Sequence, residues 1–252
     1  KEVAVVFPAL FVLIDLSVRR ERFQAGDGKG WTAALKKSGR FYTLLSAVAI
    51  AAAYYAVVWT EASRMTGYWG GSLAAQWATS FKLFVHYLRL ALMPYPLLAD
   101  YTGVFPISTG FMEPATLVCV LISGAYLGLA LWLFRRRPLV TLGMAWFLVP
   151  LLPVLQIVGF HEIAADHFLY LPMVGAALVF GDLGAQAASS RNANVLAWAF
   201  LLAVFAVSVI LTVTRNRVWA SQLTLWEETY EKAPGSYRAN ANLGQLYWTR
   251  FE

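Results

Sequence analysis

The chain has 252 residues, of which 59% are hydrophobic and only 13% charged, with a formal net charge of +6. Ordinary soluble domains carry roughly 25% charged residues, so the composition points away from that class and towards a membrane protein. Nucleic-acid binding is excluded by the lack of a basic stripe interleaved with stacking aromatics, and the single cysteine, Cys119, excludes an intrachain disulfide or a cysteine metal site.

In chain order, apolar runs predict helical spans at residues 3–18, 41–60, 115–134, 139–160, 168–187 and 195–214. Each is near the ~20 residues that cross a hydrocarbon core, and helices are the spanning form that satisfies every backbone group internally. Pro8, Pro150, Pro153 and Pro172 are expected to kink their helices. The opening on Lys1-Glu2, without a starting Met, and the close on Phe251-Glu252 inside a helical pattern lead us to expect a piece of a longer polypeptide.

Basic residues orient the set. Arg19, Arg20, Arg22, Lys29, Lys36, Lys37 and Arg40 lie between the first two spans, Arg135-Arg136-Arg137 follow the third, and Arg191 lies between the last two. The positive-inside rule assigns these loops to the cytoplasm. Lys1-Glu2, residues 61–113, the turn 161–167 and everything after Thr214 then face outward. Asp15 and Asp182 fall near cytoplasmic helix ends and read as interfacial. Residues 77–93 (WATSFKLFVHYLRLALM) read as a helix lying in the outer interface, with Lys82, His86 and Arg89 on one face and Phe81, Phe84, Val85 and Leu88 on the other.

Chemistry-bearing residues gather on that outer side. The turn FHEIAADHFLYLP packs His161, Glu162, Asp166 and His167 into seven positions. Two imidazoles and two carboxylates could hold a divalent cation, but the spacing matches no zinc pattern such as HExxH, so a divalent metal is the lesser reading and the residues fix no cofactor. A hydrated turn with Asp166 capping the next helix is the bland alternative. Lys82, His86 and Arg89 either snorkel towards headgroups or form a cationic rail for a lipid phosphate, with Asp100-Tyr101 at the same height. No Gly-rich phosphate loop or GxSxG elbow is present.

After Thr214 the sequence becomes amphipathic. Trp226, Pro234, Leu243-Gly244 and Tyr247 stand at spacings that resemble the junction of two tetratricopeptide repeats. The predicted fold is all-α: a polytopic transmembrane bundle over 1–214, with about six spans and one outer interfacial helix, followed by the start of an extracytoplasmic repeat domain over 215–252.

The order KExAxxxPAL, YLRLALMPYPLLADY, ADHFLYLPMVG and then a repeat start resembles one family: the polytopic membrane proteins with tetratricopeptide tails related to transmembrane O-mannosyltransferases, within the GT-C glycosyltransferase superfamily. Relatives often carry Arg where this chain has His167. The resemblance implies transfer of a sugar, mannose among the candidates, from a polyprenyl-phosphate carrier to an outer-face acceptor. It implies a catalytic carboxylate upstream of Lys1, so the piece by itself is expected to be inactive. Lipid-phosphate or substrate contacts would fall to Lys1, Glu2, Lys82, His86, Arg89, Asp100, His161, Glu162, Asp166 and His167. The implied partners are the bilayer, the lipid-linked sugar, and a protein partner or acceptor at the repeats; the implied location is a bacterial inner membrane, or the endoplasmic reticulum in a eukaryote. The competing reading is a non-catalytic, membrane-anchored repeat scaffold. A transporter ranks last, because the spans are apolar through their centres and no half repeats another.

Overall fold

The computed structural model describes residues 6–24, 39, 47, 51, 67–159, 162–189 and 194–250. Among them every regular element is helical: α1 (Phe7–Gln24), α2 (Leu73–Leu92), α3 (Pro114–Leu133), α4 (Pro138–Leu148), α5 (Pro172–Ser189), α6 (Asn194–Val218), α7 (Gln222–Lys232) and α8 (Tyr237–Trp248). Short 3₁₀ turns occupy Trp69–Gly71, Val149–Val154 and Asp166–Leu169. The expected span at 41–60 lies, apart from residues 47 and 51, outside the described residues.

The described residues within Lys1–Leu92, Ile107–His161 and Phe168–Val179 form one compact unit, and those within Met93–Pro106, Glu162–His167 and Phe180–Glu252 form a second. In the first, α1 packs on α4 through the stripe containing Val6 and Leu10, while Phe7, Phe11 and Ile14 stay exposed. Helix α2 packs along α3, and its fully buried positions Ala75, Thr79, Leu83 and Tyr87 recur every four residues, as one face of an α-helix must. The α3–α4 hairpin is tied by the Tyr126 hydroxyl, which donates to the Met144 carbonyl at 2.7 Å, and Phe84 of α2 meets the same ring edge-to-face at 5.0 Å. Where α4 meets the start of α5, a Cβ on Gly143 would stand 2.6 Å from the Gly175 carbonyl oxygen. Only glycine lets two helix backbones approach that closely, the packing that small residues allow between apolar helices.

Prolines act differently at different places. Pro150 and Pro153 end α4 at Leu148 and turn the chain into a 3₁₀ stretch, so the predicted 139–160 element is broken, as the missing N–H groups require. Pro8 and Pro172 make no kink, contrary to expectation: they occupy the first turns of α1 and α5, where a helix has no use for the amide hydrogen.

Helix α3 is long and apolar enough, taken alone, to cross a membrane, and α6 together with α7 meets the same measure as a pair bent by 109°. Both α3 and α6 leave large apolar side chains bare, Leu121 at 73% and Phe205 at 66% exposed among them.

In the second unit, α7 and α8 form a helical hairpin across Pro234-Gly235. Ser221 and Ser236 cap the two helices by accepting from the Thr224 and Ala239 amides, each at 3.1 Å. Gly103, at φ +86°, lies directly against the Gly235 carbonyl, so the 93–106 loop rests on the hairpin turn with no room for a side chain at that point.

Candidate functional site

The first unit contains a buried polar string between α2, the loop before α3, and α3 itself. Lys82, only 6% exposed, donates to Glu113 Oε1 at 2.7 Å. Glu113 Oε2 accepts from the Thr109 amide at 3.3 Å and from the Thr116 hydroxyl at 3.4 Å. Thr116 shares a hydrogen bond with Ser108 at 2.7 Å, and the Ser108 amide donates to Thr79 Oγ1 at 3.0 Å. The Lys82 contact holds the Glu113 carboxyl below its ordinary range. This pairing changes the picture of α2 as an interfacial helix with a wet cationic face. Lys82 is inside, His86 is half-buried and Arg89 is exposed, so the three expected rail positions do not share one environment. Burial, with a smaller contribution from Arg89, pushes the His86 imidazole down to about 4.

Beside this string runs an apolar groove of about 450 Å³, lined chiefly by Trp77, Phe81, Phe84, Phe111, Leu127 and Leu152. Two serines reach its wall, yet no polar surface opens into it. The Ser80 and Ser123 hydroxyls donate to their own helices, at the Gln76 and Cys119 carbonyls, a local bond that satisfies a hydroxyl within an apolar wall. Trp77 Nε1 donates to the Ile157 carbonyl at 3.2 Å and bridges two of the lining segments.

The second unit gathers a different cluster. Glu162 is buried and accepts from Arg238 Nη1 at 2.7 Å. Asp166 Oδ1 accepts from the Tyr101 hydroxyl at 2.9 Å, while Oδ2 pairs with Arg215 Nη2 at 3.1 Å. Arg215 also pairs through Nη1 with Glu228, which Lys232 meets from one turn on. Burial pushes the Asp166 carboxyl up, opposed by Tyr101 and Arg215. The Tyr101 amide donates to the Ala164 carbonyl at 3.2 Å, joining the 93–106 loop to the 162–167 turn. Asp100 is fully buried: its Oδ1 accepts from the Thr102 amide and hydroxyl at 3.1 and 2.8 Å, and its Oδ2 accepts no hydrogen bond among the described residues.

The expected site residues are divided between the two units. Lys82, His86 and Arg89 lie in the first unit; Asp100, Glu162, Asp166 and the exposed His167 lie in the second. Lys1, Glu2 and His161 lie outside the described residues. Asp166 opens a 3₁₀ turn and serves an arginine and a tyrosine, so the simple helix cap does not describe it. Among the described residues no three metal-ligating side chains converge. Sequence reasoning missed Glu113, Arg215, Glu228 and Arg238. The available signal for Arg215 was its place directly after an apolar run, where a lone arginine needs an anion.

A second hollow, about 530 Å³, lies on the α7–α8 hairpin between Glu227, Tyr230, Glu231, Asn240, Leu243 and Tyr247. The Tyr247 hydroxyl donates to Glu227 at 2.9 Å, which holds the phenol proton more firmly and pushes its pKa up. No known family model, curated protein or solved structure matches this chain.

Proposed function

We propose that this chain is part of an integral membrane glycosyltransferase that transfers a sugar from a polyprenyl-phosphate carrier to an acceptor on the extracytoplasmic face. Its bundle of about six spans would carry tetratricopeptide-like helices beginning with α7 and α8. The observation that carries the reading is the apolar groove beside the Lys82–Glu113 pair. An isoprenoid chain is a hydrocarbon without hydrogen-bonding groups, and it fits a wall whose serines have turned their hydroxyls away. Phe81 and Phe111 of that wall adjoin Lys82 and lie near Glu113 in sequence, so a carrier phosphate at that rim would compete with Glu113 for the ammonium group. The bare apolar sides of α3 and α6 support residence in lipid, since monomeric soluble proteins seldom expose patches of that size.

One observation favours the second reading, a membrane-anchored scaffold. Glu162 and Asp166 are engaged by Arg238 and Arg215 of the tail, which suits a turn that anchors helices better than one that orients a sugar. Photolabelling separates the two. The full-length protein in nanodiscs is exposed to a mannosyl polyprenyl phosphate with a diazirine in its isoprenoid chain, or to a diazirine phosphatidylcholine. The transferase reading expects preferential polyprenyl labelling of peptides covering 77–84 and 148–157, abolished by Ser123→Trp, which fills the groove. Equal labelling by both lipids would leave the scaffold.

A further inference from the structure

The tip of the α3–α4 hairpin, residues 134–137, carries three consecutive arginines, and among the described residues none of them forms an ion pair with a carboxylate. Arg135, Arg136 and Arg137 are all exposed. Their backbone is tightly set: the Arg136 and Arg137 amides donate to the Leu133 carbonyl at 2.9 and 2.7 Å, and the Thr141 amide returns a bond to the Arg137 carbonyl at 3.0 Å. The Thr141 hydroxyl also reaches the Arg137 carbonyl, at 3.1 Å. The turn thus satisfies these carbonyls with its own groups, and the guanidinium donors are not consumed in capping. Arg136 lies 4.3 Å above the Trp132 ring, and Leu131, Trp132, Phe134 and Leu139 form an exposed apolar collar next to the cationic tip.

We infer that this tip docks on anionic phospholipid headgroups, with the collar in the acyl boundary and the guanidinium groups on lipid phosphates. The charge is complementary, and guanidinium groups bind phosphate oxygens in a two-pronged geometry that a compact ammonium lacks. Trp132, stacked under Arg136, is the residue type that sits at the membrane–water boundary with its apolar body inward. An arginine beside an anionic leaflet strengthens the attraction about fivefold, equivalent to about 1 kcal/mol, so three give on the order of a hundredfold. The inference rests on membrane residence within the reading above and is independent of sugar transfer.

The test uses the full-length protein in detergent, titrated with short-chain phosphatidylglycerol or phosphatidylcholine and read by native mass spectrometry. The wild type should retain phosphatidylglycerol at least about tenfold better, the lower part of that range. Replacing Arg135, Arg136 and Arg137 together with Gln should remove the preference, and replacing all three with Lys, which keeps the charge, should restore most of it. Inorganic phosphate at the same concentration should not compete. A wild-type preference surviving in the triple-Gln variant, no preference in the wild type, or full competition by phosphate would each overturn the inference. Groove labelling reports separately on the transferase reading, so the two can fail independently.

Discussion

Each of the two units is held together internally, and by opposite means. In the first, helices meet through shape: glycine against glycine where α4 faces α5, an aromatic cluster between α2, α3 and α4, and one polar string around Lys82. In the second, charge does the joining. Asp166, Arg215, Glu228 and Lys232 form a chain of ion pairs, and Glu162 reaches Arg238 across 76 residues of sequence. Apolar contacts are non-directional, so the first unit relies on close-packed small residues for its geometry. Ion pairs select partners but cost desolvation, so the second unit loses most when one partner is removed and the other charge stays behind.

The contrast can be broken most sharply at Arg215. Arg215→Ala leaves Asp166 without its cation while Glu228 keeps Lys232, and should cost about 3–5 kcal/mol, the range for stranding a buried charge. Urea titration of the full-length protein in detergent, followed by hydrogen exchange of α7, would measure it. A loss below about 1 kcal/mol would mean the cluster is no more than a surface network.

The first unit should respond to acid through His86. Its folded imidazole titrates near 4 against an ordinary value of 6.5, so the folded state binds the proton less well than the unfolded state. The associated stability is fully present above 6.5 and is lost as pH falls from there towards 4, to a total of about 3 kcal/mol. Melting curves of the wild type and His86→Leu between pH 7 and pH 4 should converge in slope only if this is wrong.

Gly175→Ala tests packing by shape. A single methyl placed against the Gly143 carbonyl and the Phe147 amide must push the helices apart, at about 1–3 kcal/mol. Double substitution with Gly143→Ala should be non-additive, because both methyls contest one contact. The smallest effect is expected at Arg238, whose side chain is 43% exposed. Arg238→Ala should cost less than about 1 kcal/mol, and the difference from wild type should shrink in high salt as screening weakens the pair.

Much of the helical content was legible in the sequence. The predicted spans at 115–134, 168–187 and 195–214 correspond to α3, α5 and α6, displaced by a few residues. Helical periodicity is a local property, and apolar runs with flanking arginines carry it without reference to the rest of the chain. The candidate site was legible only as an inventory. Glu162, Asp166, Lys82 and Asp100 were singled out because polar groups beside apolar runs demand partners, but the partners were not identifiable. Tyr101 meets Asp166 across 65 residues and Arg215 meets it across 49, separations that no local pattern encodes. The proline outcomes divide on the same line: composition marks Pro172 as a helix disruptor, while its position in the first turn makes it a helix starter.

By itself, then, the sequence determined the helical character of the described residues, among which one helix taken alone is apolar enough to cross a membrane and is followed, after Phe134, by three arginines. That follows from backbone hydrogen bonding and hydropathy, which act within a few turns. Only the tertiary structure decided that Lys82 turns inward to Glu113, that the 162–167 carboxylates serve the tail arginines, and that the aromatic side chains of 77–84 meet Phe111, Leu127 and Leu152 around one apolar groove. Electrostatic and packing partners are chosen by distance in space, and the sequence orders residues only along the chain.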